Sequence, residues 1–415
     1  MAGRGGARRV QRILVEPSAY HLLNLGDVAM LQVAVCRLSA LWPSARIDVF
    51  TDVPDRLARL CPGADPVPAE GRNAYLNPLP PGDWLWRRLP QSTRRLARSA
   101  RLALRDRTGR GSAMRLFANA LAEADLIVVS GGGGTADVFP WETRTVLELL
   151  ELGVAARVPT ALMGQAFGPL QDPSLRRHAG AVLRHVDLIA LREQRASAPL
   201  LESLGVPMHR VVTTGDDAIA VASPFRTDDA PDAVMGVNLR IAPYSGLDPS
   251  LAAEAGRQIA AAAGRHHARM VATPVSIHPD EADADVAARA VGTHVEDAGT
   301  VDGPEDVLAR IARCRIVVTG SYHAAVFALA LGIPAVGLAL SPYYVDKFSG
   351  LADQFGPGCA VVRLDGSWPA TLADAIDSLW GQAEDLRTPL RERADEQVAQ
   401  AEAAYRRLRD LVDGR

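Results

Sequence analysis

Residues Thr319–Pro334 read TGSYHAAVFALALGIP, directly behind the apolar run Ile316–Val318. That β-branched run, bounded by Arg315 and Gly320, has the length of a buried strand. Ala324–Leu331 has the length and alanine content of a helix closed by Gly332. A strand that hands over to a helix in so few residues is the unit of an α/β sheet, and His323 falls in the helix's first turn. The first N–H groups of a helix lack intrahelical partners and carry partial positive charge. The position therefore predicts an anion, phosphate or carboxylate, beside the imidazole.

The same alternation extends in both directions. Apolar runs bounded by turn signals recur at Ile13–Val15, Ile47–Phe50, Leu126–Val129, Thr160–Met163, Leu188–Leu191 and Val211–Thr213, with helical patterns between most of them. A second series runs through Met235–Leu239, Met270–Thr273, Ile316–Val318, Ala335–Leu338 and Ala360–Val362. Strands alternating with helices predict parallel, doubly wound sheets, and the two series predict two Rossmann-like modules. Ala222–Ala233, rich in Pro, Asp and Ser and without periodicity, reads as the linker. The boundary is set near residue 228, giving domains 1–227 and 228–415. Asp385–Val412 has the pattern of a long amphipathic helix suited to packing across the junction.

A chain of 415 residues is long for one core, which agrees with two domains. Its 48% hydrophobic and 22% charged residues are those of a globular protein, and no apolar run reaches the ~20 residues that span a bilayer. Met1–Arg12 leads into Ile13–Val15 without the apolar segment of a signal peptide, so a cytoplasmic location is expected. Cys36, Cys61, Cys314 and Cys359 lie far apart with no C-x-x-C pair, which predicts free, mostly buried thiols rather than zinc or disulfides. No metal-ligand cluster stands out. A net charge of −3 and a pI near 6.3 argue against nucleic-acid binding. Arg87–Arg115 nevertheless holds ten arginines and one acid, Asp106, with Trp84 and Trp86 just upstream. Two readings stand for it: a solvated helical face, or a basic amphipathic helix at the inner face of an anionic membrane.

Ligands of open α/β sheets bind outside the carboxyl ends of the strands. The residues after each strand here are polar and glycine-rich. In NLGD, Asn24 to Asp27, Asp27 reads as the N-cap of Val28–Leu41, as a carboxylate that takes a proton from an acceptor hydroxyl, or as both. Gly131, Gly132, Gly133 and Gly134 permit positive φ and close approach of a ligand to the backbone, and a tight strand-to-helix turn explains at least two of them. GQAFGP, Gly164 to Pro169, reads as a loop whose Gln165 amide suits hydroxyl recognition. Arg192 reads as an ion pair within its own domain. Arg240 ends the strand GVNLR, where its planar fork faces the cleft and suits a carboxylate or phosphate, with a surface arginine as the alternative. Ser341–Lys347 also falls at a strand end. Among nine histidines, His323 stands out by position, with Ser321 and Tyr322 beside it; His278 has a weaker case, before an acidic turn.

Taken in order, NLGD at Asn24, the glycine run at Gly131, GQAFGP at Gly164, TGDDA at Thr214 and SYHAAVFALALGIP at Ser321 resemble the polysaccharide pyruvyl transferase family across nearly the whole chain. The resemblance implies a two-domain fold similar to the B-type glycosyltransferases, with the active site in the interdomain cleft. It also implies phosphoenolpyruvate as co-substrate, no other cofactor, and a sugar or glycolipid acceptor of a surface polysaccharide or its lipid-linked precursor. The product is a cyclic pyruvate ketal. His323 then becomes the general acid/base and Asp27 its partner on the acceptor. Arg240, Ser321, Tyr322 and Lys347 hold the donor, while Asn24, Gly131, Gly132, Gly133 and Gln165 line the acceptor side. Many members carry an arginine two residues before this histidine. Ser321 stands there, so Arg240 and the helix terminus at His323 are expected to hold the phosphate and carboxylate. A nucleotide-sugar glycosyltransferase on the same two modules, with Asp346 on a ribose, is the alternative. Acceptor choice is assigned to the irregular Leu76–Arg115.

Overall fold

The computed structural model describes residues 10–76, 93–94, 96–97, 100, 111–228, 232–281, 283–292, 295–296 and 299–414. Most of Arg87–Arg115, including Leu102 and Leu104, lies outside them, as do Trp84 and Trp86 just upstream.

The first domain carries β1 (Arg12–Glu16), α1 (Leu25–Leu41), β2 (Arg46–Thr51), α2 (Pro54–Leu60), β3 (Asp65–Pro68), α3 (Ala69–Leu76), α4 (Ser112–Ala122), β4 (Leu126–Val129) and β5 (Gly132–Thr135). It continues with α5 (Pro140–Ala156), β6 (Thr160–Phe167), α6 (Pro173–Leu183), β7 (Leu188–Leu191), α7 (Ser197–Ser203) and β8 (Val211–Thr213). The second begins with β9 (Val234–Asn238), α8 (Pro249–Arg265), β10 (Arg269–Ala272), α9 (Asp283–Val291), β11 (Val295–Glu296) and α10 (Pro304–Ile311). It ends with β12 (Ile316–Thr319), α11 (Tyr322–Leu331), β13 (Ala335–Ala339), α12 (Pro342–Phe355), β14 (Cys359–Arg363) and α13 (Trp368–Asp413).

Among the described residues the first sheet has eight strands in the order β3-β2-β1-β4-β6-β7-β8, with β5 on β6. The second has six, β11-β10-β9-β12-β13-β14, and all pairings are parallel. In each sheet the order reverses beside the first strand, β1 or β9, and the carboxyl ends there open a crevice. The strand ahead of His323, β12, is central, and α11 behind it is buried on every side, Ala324 to Ala330 at 0% exposure. This explains its unbroken apolar sequence.

Four local expectations need correction. The run at Gly131 is not a loop: Gly132–Thr135 forms β5, and none of the four glycines has positive φ. Gly131, Gly132 and Gly133 are small for packing instead, whereas a Cβ on Gly134 would meet nothing within 4 Å. A Cβ on Gly131 would lie 2.3 Å from Met30 Sδ, and one on Gly132 would lie 2.1 Å from Ser18 Oγ. GQAFGP is not a loop either, because β6 continues through Phe167. The cap of α1 is Asn24, not Asp27, since the Asn24 side chain accepts from the Gly26 and Asp27 amides. Finally, β3, β5 and β11 lie outside the apolar runs.

Backbone bonds tie the domains at the start of α1, where the Leu25 amide donates to Val275 O and the Ile277 amide to Leu23 O, both at 2.9 Å. The last helix is longer than Asp385–Val412, with 46 residues. Leu372 to Ala394 join the core of the second domain, whereas Ala404, Tyr405, Leu408 and Val412 join that of the first. The helix crosses the junction because its apolar stripe continues past the length that one domain can cover. Cys61, Cys314 and Cys359 are buried free thiols, and Cys36 is exposed.

Candidate active site

Between the carboxyl edges of the two sheets lies a cavity of about 220 Å³. The first domain lines it with Glu16, Asn24, Asp27, Gly133, Gln165 and Arg192, and the second with Arg240, Ser321, Tyr322, His323 and Lys347. The fold thus brings together most of the residues singled out in the sequence. Gly131 and Gly132 are not part of this lining.

His323 enters from α11, and the N-terminus of α1 faces it from the other domain. A Cβ on Gly26 would lie 2.0 Å from its Cγ. Its Nε2 stands 3.6 Å from Asp216 Oδ2, an ion-pair distance and too long for a hydrogen bond, so that buried nitrogen has no hydrogen-bond partner among the described residues. Asp216 belongs to TGDDA. Burial alone would raise its proton affinity, but His323, Arg192 and the Ala218 amide at 2.9 Å hold it below the usual carboxylate value.

Two cations meet over Gly133. A Cβ there would lie 2.7 Å from Arg192 Nη2 and 2.8 Å from Lys347 Nζ, so a side chain at this position would push them apart. Lys347 Nζ sits 3.9 Å from the centre of the Tyr343 ring, whose hydroxyl donates to Gly133 O at 3.0 Å. Burial first, then the Arg192 charge, push the Lys347 ammonium well below its ordinary pKa. Asp27 moves the other way: burial raises it, against the opposing pull of His323, Lys347 and Arg192. Its carboxylate accepts no hydrogen bond from the described residues.

Arg192 does ion-pair within its own domain, Nη1 to Asp216 at 3.2 Å, yet it also lines the cavity. Its Nε and Nη2 are buried without partners among the described residues. Buried, unpaired donors cost about 1–3 kcal/mol each, a cost that an incoming anion removes. The expected clamp, Arg240, is differently disposed. Its Nε and Nη2 grip Asp283 at 2.5 and 2.8 Å, and its Nη1 reaches Tyr244 Oη at 3.4 Å. The fork found its carboxylate inside the protein, because Asp283 also collects the Val275 and Ser276 amides and pins the loop after β10. Ser321 Oγ lies 3.4 Å from Arg240 Nη2. Arg192, from the other domain, is the arginine that brings unpartnered donors to the cavity. Nothing local marks Arg192 in the sequence; only its place at a strand's carboxyl end does.

Gln165 is more constrained than expected, its Nε2 donating to Ser130 O at 2.6 Å and Met163 O at 3.2 Å, which leaves Oε1 for hydroxyl recognition. Asp346 and His278 lie outside the cavity lining. The one carboxylate–histidine group close enough to share a metal among the described residues, Glu148, Glu151 and His178, already receives Arg94 at 2.7 and 3.2 Å. No helix among them is long and apolar enough to cross a membrane.

Solved structures share the architecture at low identity. They include the Staphylococcus aureus MnaA–UDP co-structure (13% identity, TM-score 0.57, 93% of this chain and 94% of that one) and Anabaena Alr3699/HepE in complex with UDP (12%, 0.58, 98% and 100%). A UDP-GlcNAc 2-epimerase from Methanocaldococcus jannaschii is similar as well (10%, 0.54, 94% and 98%). At such identity the likeness establishes the fold, two Rossmann-like domains arranged as in the B-type glycosyltransferases. No curated protein sequence matches the chain. The family model for polysaccharide pyruvyl transferase matches residues 24–342, from the cap of α1 through the histidine helix to the first turn of α12, and the chain belongs to that family.

Proposed function

We propose that the protein transfers pyruvate from phosphoenolpyruvate to two hydroxyls of a sugar, in a surface polysaccharide or its lipid-linked precursor, as a cyclic ketal. The observation that carries this reading is the meeting of Arg192 and Lys347 over Gly133 beside His323, with unpaired donors on both Arg192 and His323. A small molecule with a carboxylate and a phosphate satisfies them.

In this reading the donor lies against Arg192 and Lys347, and His323 delivers a proton to its methylene carbon. The adjacent carbon becomes cationic, and the first sugar hydroxyl attacks it while passing its proton to Asp27. Phosphate then leaves with the electron pair of its C–O bond, and the second hydroxyl closes the ring. The two hydroxyl protons balance the one gained by carbon and the one carried away on phosphate. Asp216, held below the usual carboxylate value, keeps a negative charge 3.6 Å behind His323 Nε2.

Two of the structures of similar fold, MnaA and HepE, carry UDP, which makes a nucleotide-sugar donor the second reading. The deciding experiment incubates purified protein with phosphoenolpyruvate and a panel of glycosides, following phosphate release and product mass. Phosphate release with a ketal-sized gain in mass is expected. Binding of UDP by calorimetry, with no release of phosphate from phosphoenolpyruvate, overturns the proposal.

A further inference from the structure

The cavity has two electrically different ends. Arg192, Lys347 and His323 mark one. At the other, the carboxyl end of β1 presents Glu16, 1% exposed, whose carboxylate accepts from the Tyr20 hydroxyl and from Nε and Nη2 of Arg72. Arg72 spends its third nitrogen on Asn73 Oδ1 at 2.9 Å. Arg72 is fully buried and does not line the cavity. Glu142, exposed in the first turn of α5, is a further charge acting on Tyr20. The largest charges acting on Asp27 and Lys347 are each other, Arg192, His323, Asp216 and Arg240.

Over the same cavity stand two partly exposed rings, one from each domain: Phe139 at the start of α5 and Tyr244 in the loop after β9. Their centroids are 5.1 Å apart and their planes 54° apart. Aromatic faces beside acceptor-rich carboxylates and a phenol make poor company for an anion. They suit a pyranose, which offers C–H faces to rings and hydroxyl donors to carboxylates.

We propose that the Glu16–Tyr20–Glu142 end, roofed by Phe139 and Tyr244, is a sugar subsite that takes an uncharged ring and rejects uronates and other acidic sugars. Calling this sugar the acceptor rests on the proposed pyruvyl transfer; the preference for a neutral ring does not. The stretch Leu76–Arg115, to which the sequence assigns acceptor choice, lies mostly outside the described residues.

The test uses full-length protein and equilibrium binding, read by saturation-transfer NMR, of methyl hexosides against the matching methyl hexuronosides. Phosphoenolpyruvate affinity is measured separately by calorimetry. The hexoside is expected to bind at least about tenfold tighter than its uronoside, a difference of about 1.4 kcal/mol. Glu142→Gln should narrow that ratio severalfold. Tyr244→Ala should weaken the hexoside by about tenfold, with phosphoenolpyruvate affinity within about twofold of the parent. Equal binding of the two sugars, an unchanged ratio in Glu142→Gln, or binding of phosphoenolpyruvate with no binding of either sugar overturns the subsite. Preferential hexoside binding without any phosphoenolpyruvate binding instead overturns the donor reading and leaves the subsite standing.

Discussion

His323 rests on Gly26. The imidazole comes from α11 of the second domain and the glycine from α1 of the first, and a methyl group on that glycine would lie 2.0 Å from Cγ and 2.1 Å from Nδ1 of the ring. The contact makes one glycine a gauge of how the two domains meet.

Gly26→Ala tests this relationship directly. Alanine is the better helix former by about 1 kcal/mol, so α1 itself gains. The ring must move, however, and misplacing a catalytic group by about 1 Å costs about 100-fold in rate. We expect pyruvyl transfer to fall by about that factor, with a melting temperature within a few degrees of the parent. Unchanged kcat/KM would show that the position of the ring is not critical.

His323→Gln should lose about 100- to 10,000-fold in turnover, the range of a general acid–base group, while circular dichroism stays that of the parent. Asp216→Asn acts through His323, so the double variant should be hardly slower than His323→Gln alone. Full additivity of the two losses would separate their roles.

Lys347 predicts proton uptake. Its pKa lies well below the ordinary value because of burial and the Arg192 charge, and an anion bound beside it raises that pKa again. As pH rises through the depressed pKa the ammonium is lost, so donor affinity should fall. Calorimetry in two buffers of different ionisation enthalpy reads the uptake, and Lys347→Met should abolish it. The companion change Gly133→Ala, which crowds both cations, should raise the KM for phosphoenolpyruvate more than that for the sugar.

Asp217 predicts a pH-dependent stability. Arg37 Nη1 holds its Oδ1 at 2.5 Å and the Tyr405 hydroxyl its Oδ2 at 3.2 Å, but burial and the neighbouring Asp216 raise its pKa to about 6. Because the folded-state pKa is the higher one, the contribution to stability is complete below about pH 4 and lost as pH rises through about 6. The displacement corresponds to about 3 kcal/mol. Asp217→Asn lacks this titration, so the gap in stability between parent and variant should move toward the variant between pH 4 and 6, read by denaturant unfolding. A constant gap would show that Arg37 and Tyr405 compensate the burial fully.

The parts of the fold that were legible are those where one apolar face repeats. Eleven strands read as hydrophobic runs because both faces of a parallel sheet are covered. The three that did not are exceptions to that physics: β3 is the edge strand DPVP, β5 is almost all glycine, and β11 has two residues. The junction at His323 was legible for the same reason, since a buried strand, a capped helix and a histidine between them are all local.

Local sequence also fixed the two-module fold, the buried helix behind β12 and the set of polar strand ends from which the cavity is built. Tertiary structure decided which members of that set meet. It turned the fork of Arg240 inward onto Asp283 and brought Arg192 from one domain against Lys347 from the other. The physical reason is range: periodicity and capping act within a turn or a strand, whereas the partner of a charged side chain is set by packing between segments far apart in sequence, 43 residues for Arg240 and Asp283.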